Sequence, residues 1–307
     1  MLLLQGLIAT AAMFTMSVVG APHAFTPFDL HGGTLMDVAF TRDRQTMYAT
    51  YISASRHYSL VESHRVGASW STPRTLPFSG RWRDLEEVLS PDGRYMVFAS
   101  NRPISGGVKP LDAFYFGRYS HARGGNLWIV KRDGDKWGNP TRLPDAVNAN
   151  SSTFSPALAA DGTLYFMRAS GKKGYFHLFV ANLRNGVYNA AERAPFADQT
   201  AAEFDPTVAP DGSFVIFSST RNPLPRGSAH LFISYNRSGS WSRPVDLGHL
   251  VNAGGDDVEP RLSPDLSQLY YSSAVNPANL RAPIPARARN RLLVITLLIR
   301  VQQTLTN

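Results

Sequence analysis

The chain of 307 residues contains no cysteine, which excludes disulfides, thiol nucleophiles and thiolate metal sites. No Gly-x-Ser-x-Gly elbow and no His-Glu-x-x-His pair occurs, and no glycine-rich loop sits between a strand and a helix. The eight histidines are scattered without ligand spacing. The tail 275–307 lacks any acid but carries Arg281, Arg287, Arg289, Arg291 and Arg300. Of the formal charge of +8, these five leave +3 for the rest of the chain. The basicity is therefore a tail property rather than a stripe along a face, and nucleic acid is not an expected partner.

Lysine and arginine are missing from the N-terminus up to Arg42. The apolar run there is followed by small residues, with Val19 and Ala21 at the −3/−1 spacing of signal-peptide cleavage. Residues 1–21 are expected to be a signal peptide, with the mature chain beginning near Pro22 and a periplasmic or secreted location. The run is marginal in length for an integral membrane span, and none is expected.

What is abundant is a recurring phrase. "DLEEVLSPDGRYMVFASNR" (84–102), "TFSPALAADGTLYFMRAS" (153–170), "EFDPTVAPDGSFVIFSSTR" (203–221) and "DVEPRLSPDLSQLYYSSA" (257–274) share one grammar, with a fainter copy at 35–51. A short apolar segment meets a Pro-Asp-Gly-type turn, in which proline sets its own φ, aspartate bonds back to the backbone and glycine takes positive φ. A β-rich run follows, then a variable loop, a third run such as "NLWIVKR" or "HLFISYN", and a turn leading into Trp70, Trp137, Tyr188 or Trp241. The turn aspartates fall at 43, 92, 161, 211 and 265, spaced by 49, 69, 50 and 54 residues. Four short strands per period of this length predict an all-β chain, a single β-propeller of four-stranded blades. Five blades are expected, or six if the ends supply another. The propeller is placed at 22–274, with 275–307 an atypical basic tail in which "LLVITLLI" can stand in for a strand of the last blade. The segment "FTPFDLHGG" before Leu35 is expected to add a strand to the same blade.

The phrase "SPDG–apolar–SxR … LW" resembles the WD40-like PD40 repeats of the TolB-like propeller family, over roughly residues 35–275. The resemblance implies an exported bacterial propeller that binds an envelope protein or peptide. The first copy departs from it with "TRDR" in place of Pro-Asp-Gly, and the fifth lacks its own third and fourth strands.

Two candidate sites stand out. Asp84 and Glu86, Glu203 and Asp205, and Asp257 and Glu259 recur at the start of the innermost strand, with Asp37 in the first copy. This position faces the central channel near its mouth, and Thr153 and Ser155 break the ring. Such acids can pair with Arg102, Arg168 and Arg221 to tie neighbouring blades together. They could also hold a cation, since clustered carboxylates raise each other's pKa unless something positive sits among them. No cofactor or metal is otherwise expected. The second site is the expansion Asn101–Gly125, with Phe114, Tyr115, Phe116, Arg118, Tyr119 and His121; aromatic-plus-arginine loops on rigid scaffolds are interface-like. The expectation is a monomeric, non-catalytic binding scaffold. The alternative is a propeller glycosidase or related carbohydrate-active enzyme, with two or three of the channel acids converging on the substrate.

Overall fold

The computed structural model describes residues 12–104, 106–198, 200–221, 228–254, 256–274 and 290–303. Among these, five antiparallel sheets form the blades of a β-propeller, each inner strand running along the central axis. The inner strands are Thr34–Phe40, Asp84–Leu89, Thr153–Leu158, Glu203–Val208 and Asp257–Leu262. Second strands return through the repeated turn, and the third strands pair outside them. In blades 1, 2 and 4 the outermost layer is broken into two short pieces, such as Lys136–Trp137 and Thr141–Arg142, both paired with the third strand. No described helix is long and apolar enough to cross a membrane.

The turn chemistry explains why the repeat tolerates its own variation. In all five copies the aspartate carboxylate accepts the amide two residues on: Asp43 from Gln45, Asp92 from Arg94, Asp161 from Thr163, Asp211 from Ser213 and Asp265 from Ser267, at 2.9–3.1 Å. The next residue has positive φ, supplied by Gly93, Gly162 and Gly212 at 70–85°. The departures keep this geometry, with Arg44 at 56° and Leu266 at 57°. Glycine carries that conformation without strain, whereas the other two residues carry it at a cost.

Sheets with two apolar faces bury both by stacking around the axis. The core lies between blades: Phe166, Leu178 and Phe217 are fully buried in one cluster, and Tyr48, Phe98 and Leu60 in another. The aromatics that open the outer layer are part of this packing. Trp137 of blade 2 meets Tyr48 of blade 1 at 5.7 Å, and Trp241 of blade 4 meets Tyr165 of blade 3 at 6.0 Å between ring centres.

The fifth blade is built from both ends of the chain. Asp257–Leu262 and Gln268–Ala274 are followed by Asn290–Gln303, and Ala12–Ala24 pairs outside that strand. The ring closes through residues 12–24, not through 25–33. The latter stretch, interrupted by Pro27 and the Gly32–Gly33 pair, instead packs Phe25, Phe28 and Leu30 against blades 1 and 5. The strand Ala12–Ala24 overlaps the expected signal peptide, and its irregularity falls between Val19 and His23, across Gly20-Ala21-Pro22. Arg281, Arg287 and Arg289 lie outside the described residues.

Candidate functional site

In every blade the pairing of inner and second strands slips by one residue near the inner strand's start. Such a bulge re-aims a side chain, and the residue at its centre takes positive φ in blades 2–5: Glu86 (58°), Ser155 (47°), Asp205 (48°) and Glu259 (59°). The slip divides the repeated acids into two sets with different work.

The acids before the bulge stay within their own blade. Asp84 accepts hydrogen bonds from Ser100 Oγ (2.6 Å), Arg102 Nη2 (2.7 Å) and Ser79 Oγ (2.9 Å). Glu203 accepts from Arg221 Nη2 (2.5 Å) and the Asp198 amide (2.9 Å). Asp257 accepts from Ser273 Oγ (2.5 Å) and the Gly254 amide (3.1 Å). All three are fully buried. Their register places each acid opposite a serine at or next to the end of its own second strand, which bonds Asp84 and Asp257 directly and Glu203 through Arg221. The expected ties between neighbouring blades are thus ties within a blade. Arg168 has no such acid, because Thr153 stands opposite it. Its guanidinium lies 3.9 Å from the Phe179 ring centre and donates to Val147 O (3.2 Å).

The bulge residues make the inter-blade links. Thr50 Oγ1 of blade 1 accepts the Glu86 amide (2.8 Å) and donates to Glu87 Oε2 (2.7 Å). Glu86 Oε2 accepts the Ser155 amide (2.8 Å), and the Ser155 hydroxyl donates to Asp205 Oδ1 (2.7 Å). Ser155 does not break the ring; its amide and hydroxyl carry it from blade 2 to blade 4. These bonds offset the strain of a non-glycine residue at positive φ.

Inside this belt the charge is unbalanced. Asp37 and Glu87 are completely buried, and Arg261 is nearly so, with Nη2 2.8 Å from Asp37 Oδ1 but not aligned as a hydrogen bond. Burial raises Asp37 to about 6, against the pull of Arg261. Burial, reinforced by neighbouring carboxylates, lifts Glu86 and Glu87 each to about 8 and Glu259 well above its ordinary range. Protonation is the response when several carboxylates share a dry site with one guanidinium. Glu87 and Arg261 form part of the wall of a cavity of about 340 Å³ that includes Val38, Leu158 and Val208 and the turn prolines Pro91, Pro210 and Pro264. Glu87 Oε1 has no hydrogen-bond partner among the described residues. The cavity lies toward the Pro-Asp-Gly turns; at the other end, the expected mouth, Glu86 and Asp205 are 6% exposed and Glu259 is half-buried. Sequence reasoning missed Glu87, Arg261 and Thr50. The one available signal was that Asp37 and Glu87 share a register position where the other three copies have proline (Pro156, Pro206 and Pro260), and that Arg261 stands where the others have Val38, Val88, Ala157 and Thr207.

The second-blade expansion forms a hairpin, Ala113–Tyr115 with Arg118–Ser120, turning at Phe116 and Gly117. It crosses blade 3 and is pinned there: the Phe116 amide donates to Gly174 O (3.1 Å), the Gly117 amide to Lys173 O (2.6 Å) and the Phe114 amide to Ser152 Oγ (3.0 Å). Tyr115 and Phe116 pack on Phe176 with ring centres 5.4 and 5.6 Å away, and Phe116 reaches Phe204 of blade 4 at 6.2 Å. Phe114 and Tyr115 are half-buried and Phe116 partly exposed; Arg118, Tyr119 (86% exposed) and His121 face solvent. His121 pairs with Asp112 at 2.9 Å. Some loop aromatics are thus anchors and others form a displayed surface.

His177 and His230 occupy one slot in successive third strands, opposite Arg168 and Ser219. Burial pushes His177 down to about 4, and His230 pairs with Asp246 at 2.8 Å. Among the described residues no group of three or more His, Asp or Glu side chains is placed to hold a metal ion.

No family model matches the chain, and no curated protein matches it. Solved structures do. A TolB-like structure from Agrobacterium tumefaciens superposes with a TM-score of 0.50 at 14% identity, over 96% of this chain and 92% of that one. A GH62 hydrolase in complex with xylotriose gives 0.51 at 11% identity, over 92% and 96%. TolB from Acinetobacter baumannii gives 0.48 at 15% identity over 85% of this chain, which spans about half (54%) of that longer protein. The matches thus include both TolB structures and a hydrolase, and at these identities the likeness is one of fold. The chain is an all-β, five-bladed propeller with the fold of TolB-like structures.

Proposed function

We propose that the protein is a non-catalytic scaffold of the bacterial envelope, exported to the periplasm or beyond, that binds a protein or peptide through the face bearing the second-blade hairpin. The observation that carries this reading is the employment of the acids. Asp84, Glu203 and Asp257 hold the ends of their own second strands, and Glu86 and Asp205 belong to the belt that joins blades 2 to 4. A glycosidase needs two carboxylates free to flank a sugar. The hairpin supports the binding half of the proposal, because Phe116 and Tyr115 fix its backbone while Tyr119 and Arg118 stand in solvent. Pre-anchored aromatic and arginine side chains give contact area at low entropic cost.

The test is capture of partners from a periplasmic extract by the intact protein and by Tyr119→Ala/Arg118→Ala. A partner retained by the first and lost by the second supports the reading. A partner retained equally by both, on a protein of unchanged melting temperature, removes this face. Turnover of aryl glycosides that disappears in Glu203→Gln or Glu259→Gln would replace the scaffold by an enzyme.

A further inference from the structure

The repeat carries an internal comparison at the blade edges. The residue of the third strand that pairs with the outer-layer aromatic is Arg65 opposite Trp70, Arg132 opposite Trp137, Leu183 opposite Tyr188 and Asn236 opposite Trp241. In blades 1 and 2 the arginine lies over the indole, with its guanidinium carbon 5.3 and 5.6 Å from the ring centre. In blade 4 the short Asn236 side chain turns away, donating to Gly212 O (3.2 Å) and accepting the Gly239 amide (2.9 Å). Among the described residues no cation stands over Trp241.

The rest of the junction is conserved in form. Trp241 packs on Phe196 and Tyr165 as Trp137 packs on Phe78 and Tyr48, so the indole is held in the same setting but lacks its guanidinium. A cavity of about 520 Å³ opens there, between blades 3 and 4. Its wall includes three acids, Asp161, Glu192 and Asp211, beside Trp241. Arg193, also in the wall, is engaged with Asp198 O at 3.1 Å. Tyr165 is 6% exposed, lines the cavity, and its hydroxyl has no hydrogen-bond partner among the described residues.

We propose that this cavity binds a guanidinium group, the side chain of an arginine on a partner polypeptide, seated over Trp241 where blades 1 and 2 seat their own Arg65 and Arg132. The aromatic face, the surrounding carboxylates and an unpaired hydroxyl are the three elements such a group requires: a cation–π surface, charge balance and a polar partner. A polyol would use the hydroxyl and carboxylates, but would leave the excess negative charge uncompensated. The site lies on the turn face, away from the second-blade hairpin, and does not depend on the function proposed for that hairpin.

The experiment titrates N-acetyl-arginine amide, its citrulline counterpart and N-acetyl-lysine amide into the intact protein, following the indole NH signal of Trp241 (assigned with Trp241→Phe). The arginine derivative is expected to shift that signal saturably, citrulline not at all, and lysine at least several-fold more weakly, because its ammonium is more strongly hydrated. Asn236→Arg supplies the missing guanidinium from within and should abolish the response at an equal or higher melting temperature. Glu192→Gln, at an exposed position, should weaken binding a few-fold. Agmatine and an arginine tripeptide distinguish a free guanidinium metabolite from a polypeptide: tighter binding of the tripeptide supports the partner chain, and tighter binding of agmatine overturns that source. Citrulline binding as well as arginine, or a folded Asn236→Arg protein binding as well as the parent, would overturn the site itself.

Discussion

Glu87→Gln should make the protein more stable above neutral pH and leave it nearly unchanged in acid. Glu87 is completely buried, receives one hydrogen bond from Thr50 and has an unpartnered Oε1. Burial, then Asp37, raises its pKa from 4.5 to about 8. The folded chain therefore keeps this proton to higher pH than the unfolded chain does. The associated stability is fully present below about 4.5 and is lost as pH climbs to about 8. That separation corresponds to roughly 4–5 kcal/mol. Asp37 titrates in the same site beside the fixed charge of Arg261, so a single substitution should recover only part of it, about 2–4 kcal/mol at pH 8.5. Glutamine still offers an oxygen to Thr50 and carries no charge. For a domain of this size the gain is a rise of roughly 5–12 °C in melting temperature at pH 8.5, shrinking to a degree or two at pH 5. Thermal melts of both proteins from pH 5 to 9 measure it. Parallel curves across that range would refute the argument, because they would mean that Glu87 is charged and compensated throughout.

Gly212→Val should cost about 1–3 kcal/mol in a thermal melt; the site is open, so the cost is φ strain alone, and an unchanged melt would contradict the turn assignment. Replacing Tyr115 and Phe116 by Ala should lower the melting temperature by several degrees through their lost packing on Phe176, whereas Tyr119→Ala should not; equal effects would contradict the division into anchors and displayed surface. A chain beginning at Pro22 lacks most of the strand Ala12–Ala24 and leaves Asn290–Gln303 as an uncovered edge. It should melt earlier and aggregate more readily than the longer chain, and mass spectrometry of the exported protein establishes which form the cell makes.

The blade was legible because its signals are local: a turn that needs Asp and positive φ, flanked by apolar runs, reads the same in any copy. What the sequence concealed depends on register. A one-residue slip in each inner strand sends Glu86 across to the next blade while Asp84 stays at home, and no spacing announces it. Ser155 looked like a gap in a ring of acids because residue type was compared without its amide, which proves to be half of the link. Pairings across the whole chain were also hidden. The partner of Asn290–Gln303 lies some 280 residues earlier, and its apolar composition also fits a leader peptide.

That last pairing has a kinetic consequence. Blades 1 to 4 each pair strands close in sequence and can form early. The fifth must wait until Asn290–Gln303 can meet Ala12–Ala24, a pairing across most of the described chain. Until then an apolar N-terminal segment stays unpaired. The entropy of closing so long a loop grows only with the logarithm of its length, so the finished ring bears little penalty. The delay falls on the folding rate, since non-local pairings come late. Joining Ala12 to Gln303, which face each other in the last blade, by a short linker and opening the chain between two other blades should speed closure without altering any blade.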